Sequence, residues 1–548
     1  MGLIDRLFGE KNKENDETAL QQRTPTDVKI ICPYCFEAFD HDQVHFRSPY
    51  MVERSTTDSM DIMSDNTENN GQDNPFVRRE RDDKLAVFWS RFVGDGADLE
   101  SLYPEKWQYP VITPENKGTM TVNGYEFDGD GRFVNHVKVR KNMSYEDSYT
   151  RLCPHCHNPL PSDDYGKHPI YFISILGITS SGKTVYLSRL LNQQPLFIAG
   201  LVPGRAKSIT KMEIVEKGKL LPGATSIGFK HPISITVDGG EGIGYYTLVL
   251  YDIAGENCMV AHDIGKGMNV YGEFIKHSSG IILLTDPTQI DTVANVIKGG
   301  FKNSEIEKVL DAYTDFIGIS GSKLEVPIAV TVAKSDELRE FHKKVGGGDL
   351  RRIFEDIPLE LNEKTGMGAG FNLREAKGVS DEMRNFLQQH AKVAAGAPLP
   401  GFVETKFKEA GYFAVSALNC GVDMYIIVDP KTGEKRKLID EADANKVKRM
   451  KAEQEMDANG NLVTECVVTV SDNGQQIRMT VKKDTPLVYM IPQNAPLTSL
   501  RLGEPLFWLL HNHKEMVVGQ DGKALKEKLQ GSNQDIDYKN KKKLINTI

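Results

Sequence analysis

Apolar positions are sparse over residues 9–27, where Lys, Glu, Asn, Asp, Gln and Thr predominate. Such a stretch buries too little surface to offset its ordering entropy, so a flexible leader is expected over about 1–30. Val28-Lys29-Ile30-Ile31 reads as a strand running into Cys32, and a second cysteine pair follows in Arg151-Leu152-Cys153-Pro154-His155-Cys156. Between the pairs, Ser55 to Asp73 is rich in Ser, Thr, Asp and Asn and predicts a loop, whereas the later part, with Trp89 and Trp107, predicts a packed segment.

At Tyr171 the texture changes. Tyr171-Phe172-Ile173-Ser174-Ile175-Leu176 is a continuous apolar run ending at a glycine, and a helical stretch follows from Lys183 to about Leu191. Two strand-like runs, Pro232 to Val237 and Tyr246 to Tyr251, flank a Gly-rich turn and predict an antiparallel hairpin. Buried-strand runs recur at 280–284, 326–332 and 412–415, with helical stretches between them. Alternating buried strands and helices predict an α/β, three-layer fold with a mostly parallel sheet and one antiparallel hairpin strand. Two segments break the rhythm and read as insertions, at about 338–405 and 421–495. The second carries a charged helix near 440–456 and a hairpin pairing Cys466–Val470 with Ile477–Val481. Pro505 to Leu510 offers a closing helix, and 516–548 is a polar, Lys-rich tail.

Length and composition narrow the classes. The 548 residues suffice for about three domains. Hydrophobic residues at 39% and charged residues at 26% suit a soluble globular protein, and no stretch approaches the roughly 18 apolar residues of a spanning helix. No integral membrane association is expected. Lys plus Arg at 67 against Asp plus Glu at 76 give a net charge of −9, which argues against a general nucleic-acid platform. The start is too short for a signal peptide, and Arg6 stands where the myristoylation pattern requires Ser or Thr, so a cytoplasmic location is expected.

Gly177-Ile178-Thr179-Ser180-Ser181-Gly182-Lys183-Thr184 matches G-x-x-x-x-G-K-[ST] between a buried strand and a helix. The glycines let backbone N–H groups turn inward around a phosphate, Lys183 can reach the β- and γ-phosphates, and the Thr184 hydroxyl can ligate Mg²⁺. A chance Gly/Ser turn before a core helix is the competing reading. Downstream, the second hairpin strand ends in Asp252-Ile253-Ala254-Gly255-Glu256. A carboxylate there can supply the second Mg²⁺ contact, and Gly255 can free a backbone N–H for the γ-phosphate.

After an antiparallel hairpin, and about seventy residues beyond the phosphate loop, this D-x-x-G resembles P-loop GTPases of the translation-factor and Ras-like (TRAFAC) class. The resemblance implies a base-recognition motif after a later strand, where Ala333-Lys334-Ser335-Asp336 stands. Asp336 would accept hydrogen bonds from guanine, and the Lys334 stem would lie along the ring. Ala333 departs from the family's Asn or Thr and loses a loop-bracing hydrogen bond, which leaves ATP open. Ser416-Ala417-Leu418 stands where the family's last motif falls. The resemblance also implies a switch threonine, for which Thr225 is the choice over Ser226 and Thr210, and it sets Glu256 where Ras-like enzymes carry a water-orienting Gln. Arg205 would be either an arginine finger or a solvated surface residue.

Seven cysteines are too few for a disulfide scaffold, but four form C-P-x-C pairs, Cys32/Cys35 and Cys153/Cys156. Together they would make a closed, structural zinc site of the ribbon type, split by a long insertion (about 47–150) within a module over 31–168. A redox C-x-x-C, or two unrelated pairs, is the alternative, and His41, His45, His155 and His157 are possible substitute ligands. The nucleotide domain then spans 169–515. Taken together, the chain looks like the bacterial double-GTPase-type proteins of conflict or signalling systems. That resemblance implies a GTP- and Mg²⁺-dependent switch that hydrolyses GTP and acts through a protein effector or regulator. A nucleotide-binding scaffold with negligible hydrolysis and a zinc-ribbon nucleic-acid binder are the alternatives.

Overall fold

The computed structural model describes residues 29–49, 82–91, 109–114, 122–127, 134–141, 144–162, 165–177, 181–193, 207–208, 214–222, 231–238, 245–254, 276–297, 306–317, 323–345, 350–354, 361–362, 367–368, 373–393, 396–429, 434–439, 465–472, 475–482 and 487–512. The leader, the loop over 55–73, Trp107, the charged helix near 440–456 and the tail lie outside these residues. The chain divides into two compact units. One comprises 1–171 with 231–236 and 244–249, and the other comprises 172–230, 237–243 and 250–548.

The first unit is built from short strands. β1 (Ile30–Ile31) pairs antiparallel with β2 (Ala38–Phe39), with Ile30 opposite Phe39. β3 (His45–Arg47) lies between β4 (Val111–Ile112) and β8 (Arg151–Leu152), and β5 (Val122–Phe127), β6 (Val134–Lys141) and β7 (Ser144–Ser148) form a meander. Helix α1 (Asp83–Ser90) starts where Asp82 accepts a hydrogen bond from the Leu85 N–H, and it buries Leu85, Ala86, Phe88 and Trp89. The packed segment expected around Trp89 is therefore a helix.

The central sheet has the order β10-β11-β12-β9-β13-β14-β17, from β9 (Ile170–Gly177), β10 (Lys207–Ser208), β11 (Ile233–Asp238), β12 (Tyr245–Ala254), β13 (Gly280–Thr285), β14 (Ile328–Val332) and β17 (Ala410–Ala414). β9, β13, β14 and β17 run parallel in register, with Leu176 opposite Leu283 and Leu283 opposite Val330. Every residue of β13 and β14 is buried, the condition that a continuous apolar run with no alternation encodes. The result is a mixed α/β architecture with a mostly parallel sheet.

Helix α2 (Lys183–Ser188) is shorter than expected, because the chain widens into a π-turn over Arg189–Gln193. The segment read as the first insertion supplies the connection from β14 to β17, through α7 (Leu373–His390) and α8 (Leu399–Lys406). α7 buries Ala376, Val379, Met383, Phe386 and Leu387 at helical spacing. In the second segment, β20 (Glu465–Asp472) and β21 (Gln475–Lys482) pair antiparallel with Cys466 opposite Val481 and Val470 opposite Ile477, the expected hairpin. A closing helix over Glu504–Asn512 buries Leu506, Phe507, Leu509 and Leu510.

Candidate nucleotide site and cysteine centre

β9 ends at Gly177, and the turn into α2 needs both of its glycines. A Cβ at Gly177 would stand 2.7 Å from Ser181 Oγ and 3.2 Å from Lys183 Cδ. Gly182 caps α2 at φ 78°, a left-handed conformation that other residues adopt at a cost of roughly 1 kcal/mol. These constraints direct Lys183 inward. Its side chain is 6% exposed, and its Nζ lies 3.2 Å from Asp252 Oδ1 near the end of β12. The lysine of the glycine-rich turn and the carboxylate of the D-x-x-G segment are thus brought together as a buried ion pair. Thr184 follows Lys183 in α2 and is half-buried. Thr179, Ser180, Thr225, Gly255 and Glu256 lie outside the described residues, as do Arg205, Thr210 and Ser226.

The segment Ala333–Asp336 leaves β14 with Lys334 at φ 51°. Lys334 Nζ donates to Asp286 Oδ2 at 2.7 Å, and Asp286 also accepts from the Thr288 N–H and hydroxyl at 2.8 and 2.5 Å. Burial works against the charge on Lys334, but Asp286 outweighs it and holds the ammonium above its ordinary pKa. The Lys334 stem also reaches the glycine-rich turn before α2, since a Cβ on Gly182 would sit 3.6 Å from Lys334 Cε. Asp336 Oδ1 accepts from Ser416 Oγ at 2.6 Å, and Ser416 Oγ accepts from the Asn419 N–H at 2.8 Å. Burial pushes the Asp336 carboxyl above its usual range despite the Ser416 hydrogen bond. Two backbone bonds brace this loop, from the Ala333 N–H to Thr285 O at 2.8 Å and from the Ser335 N–H to Val415 O at 3.0 Å.

Asp286 went unread in the sequence. It follows a buried strand directly, as Asp252 stands near the end of one, and that similar position was the signal available for it.

The four cysteines of the C-P-x-C pairs meet, although 118 positions separate Cys35 from Cys153. Their sulfurs all lie within 4.8 Å of one another, with Cys32 and Cys156 at 3.7 Å and Cys35 and Cys153 at 3.6 Å. Thiolates roughly 2.3 Å from a tetrahedral zinc stand about 3.8 Å apart, so the cluster fits that ion. The Tyr34 N–H reaches Cys32 Sγ and the His155 N–H reaches Cys153 Sγ, each at 3.4 Å. Asn158 Nδ2 donates to Cys156 Sγ at 3.3 Å while its Oδ1 accepts from the Trp89 indole at 3.1 Å. Phe36 and His157 occupy the left-handed region at matching places in the two knuckles.

The ring nitrogens of His45 and His157 point elsewhere. They lie 3.0 Å from each other, and His157 Nδ1 is 2.7 Å from Asp82 Oδ1, whose partner oxygen binds Arg47 at 2.6 Å. Among the described residues, the cysteines alone form a cluster suited to a metal.

No family model matches the chain, and no curated protein matches it. Among solved structures it is similar to translation elongation factor SelB from Methanococcus maripaludis in complex with the GTP analogue GppNHp, at 11% identity and a TM-score of 0.17 over 59% of this chain and 51% of that one. It is similar also to a bacterial selenocysteine-specific elongation factor, EF-Sec, at 11% and 0.18 over 60% and 44%. Era from Aquifex aeolicus bound to GDP·AlF4⁻ follows at 12% and 0.15 over 47% and 72%. The match thus spans about half the length of the elongation factors. Two of these neighbours carry a guanine nucleotide or its analogue, but at such TM-scores none of the three decides the fold or the activity of this chain. Among the described residues, no helix is long and apolar enough to cross a membrane.

Proposed function

We propose that this chain binds GTP and GDP with Mg²⁺, hydrolyses GTP and works as a nucleotide switch read by a protein partner. The observation that carries this reading is the convergence of two loop systems: Lys183 beside Asp252, and Lys334 over Gly182 next to Asp336 and Ser416. A buried lysine–aspartate pair gains little by itself, because desolvation offsets its attraction. A phosphate arriving beside Lys183 and a hard cation held by the oxygens of Asp252 and Thr184 would give both side chains stronger partners. Asp336, preset by Ser416, would accept hydrogen bonds from guanine N–H groups, which adenine lacks at those positions. Thr225, Gly255 and Glu256 would complete the γ-phosphate end, and the four cysteines would hold a structural zinc ion. Motif order supports placement in the TRAFAC class. A role in a bacterial conflict or signalling system follows from the double-GTPase resemblance, and the acidic charge balance favours protein over nucleic-acid partners.

The test is a labelled-nucleotide titration with GTP and ATP as competitors, alongside phosphate release. GTP should displace labelled GDP better than ATP does. Lys183→Ala should weaken binding by at least about a hundredfold and abolish hydrolysis, because it removes the buried cation facing the phosphates. Absence of nucleotide binding by the zinc-loaded protein in Mg²⁺ would sink the reading. Tight binding without phosphate release, with or without cell extract, would leave a scaffold in place of a hydrolase.

A further inference from the structure

The outer side of the base loop is held by a residue that none of the motifs includes. Arg189 opens the π-turn at the end of α2, the helix that begins at the phosphate loop. Its side chain is buried, and the guanidinium donates from Nε to the Ala417 carbonyl at 3.0 Å and from Nη2 to Ser499 Oγ at 2.9 Å. The Ser499 hydroxyl in turn lies 3.3 Å from the same Ala417 carbonyl. One residue away, Ser416 exchanges both backbone hydrogen bonds with Leu500, at 3.0 and 2.8 Å, and its side chain donates to Asp336. The loop that sets Asp336 is therefore clamped between the strip at 499–500 and a guanidinium from the phosphate-binding helix.

We propose that Arg189 is a positioning residue for base recognition, which fixes the distance between the phosphate-binding helix and the Ser416-Ala417 loop and thereby aims the Asp336 carboxylate at the base. The proposal rests on the nucleotide reading above. A planar fork with two fixed donor directions suits this task, because it locks the orientation of the Ala417 carbonyl where a single flexible ammonium would fix only a distance. Rotation or retreat of that carbonyl moves Ser416, its immediate neighbour, and with it the hydroxyl that holds Asp336. Adenine, which would gain no bonds from Asp336, has little to lose by this change. Guanine does.

The experiment compares GDP and ADP affinities, by competition against a fluorescent nucleotide, for the intact protein and for Arg189→Gln, Arg189→Lys and Ser499→Ala, each with its melting temperature. Arg189→Gln should weaken GDP about tenfold and ADP less than about twofold, the scale of a lost hydrogen bond to a charged group. Arg189→Lys, which keeps one donor, should fall between Arg189→Gln and the intact protein, and Ser499→Ala should narrow the GDP preference by about threefold. Proportional loss of both nucleotides would assign Arg189 to general stability and overturn the proposal, since a smaller folded fraction leaves their ratio untouched. An unchanged ratio in all three variants, or equal affinity of the intact protein for GDP and ADP, overturns it as well. Failure of the intact protein to bind any nucleotide refutes the nucleotide reading itself, whereas normal binding with an unaltered preference refutes only the role of Arg189. If Arg189→Gln does not fold, the lysine and Ser499 variants carry the test.

Discussion

Replacing Cys153 with Ser should destabilise the first unit by an amount that the chain separation sets. The sulfur pairs at 3.6 and 3.7 Å already match the edges of a zinc–thiolate tetrahedron, about 3.8 Å, so a bound ion would need little backbone movement. Such an ion acts as a cross-link over the 118 positions between Cys35 and Cys153. In the chain-entropy treatment, closing a loop of that size removes about 5 kcal/mol of disorder from the unfolded state. For a unit of this size each kcal/mol moves the melting temperature by about 2–4 °C, so the variant should melt roughly 10–20 °C lower. Chelation of the intact protein should lower it comparably. Thermal melts with and without a chelator, combined with metal analysis of the purified protein, provide the assay. One equivalent of zinc in the intact protein and its loss in Cys153→Ser are expected. A chain purified without chelator that carries no zinc, together with an unchanged melt for the variant, would refute the reasoning and leave the redox or unrelated-pair reading of the cysteines.

Two further outcomes follow from the base loop. Asp286→Asn removes the partner of Lys334. Because that side chain is 37% exposed, the loss should cost about 1 kcal/mol, well short of the several expected for a wholly buried pair, and GDP affinity should drop about fivefold in a competition titration. A loss of GDP affinity no larger than that of an unrelated surface variant would count against the pairing. Asp336 must be ionised to accept hydrogen bonds from guanine, and burial raises its carboxyl pKa. GDP affinity should therefore be complete at neutral pH and fall on acidification through a pH above the ordinary aspartate value of about 3.9, whereas ADP affinity should follow a flatter profile. Parallel GDP and ADP profiles all the way down to the ordinary aspartate value of about 3.9 would contradict this assignment.

Local pattern was enough to place most of the sheet. The apolar runs at 171–176, 280–284 and 326–332 became β9, β13 and β14, because a strand covered on both faces must be apolar throughout. Alternation located the hairpin over 465–482, and a compact apolar stretch located the closing helix. Local pattern could not by itself place α7, since an amphipathic helix reads the same whether it decorates a fold or connects two strands. Only the sheet order, with β14 beside β17, makes that helix the connection.

In the candidate site, the sequence alone determined which side chains end buried strands or enter a glycine-rich turn: Lys183, Asp252, Lys334, Asp336 and Ser416. It also determined that the two cysteine pairs have the spacing of metal knuckles. What each of these groups touches was decided by tertiary structure. Lys334 meets Asp286, Ser416 meets Asp336, Arg189 meets Ala417, and Cys35 meets Cys153 across 118 positions. Periodicity and turn chemistry act over a few residues and are written in the local sequence. Contacts between distant segments depend on how whole strands and helices pack, and loop-closure entropy rises so slowly with length that a long intervening segment does little to prevent them.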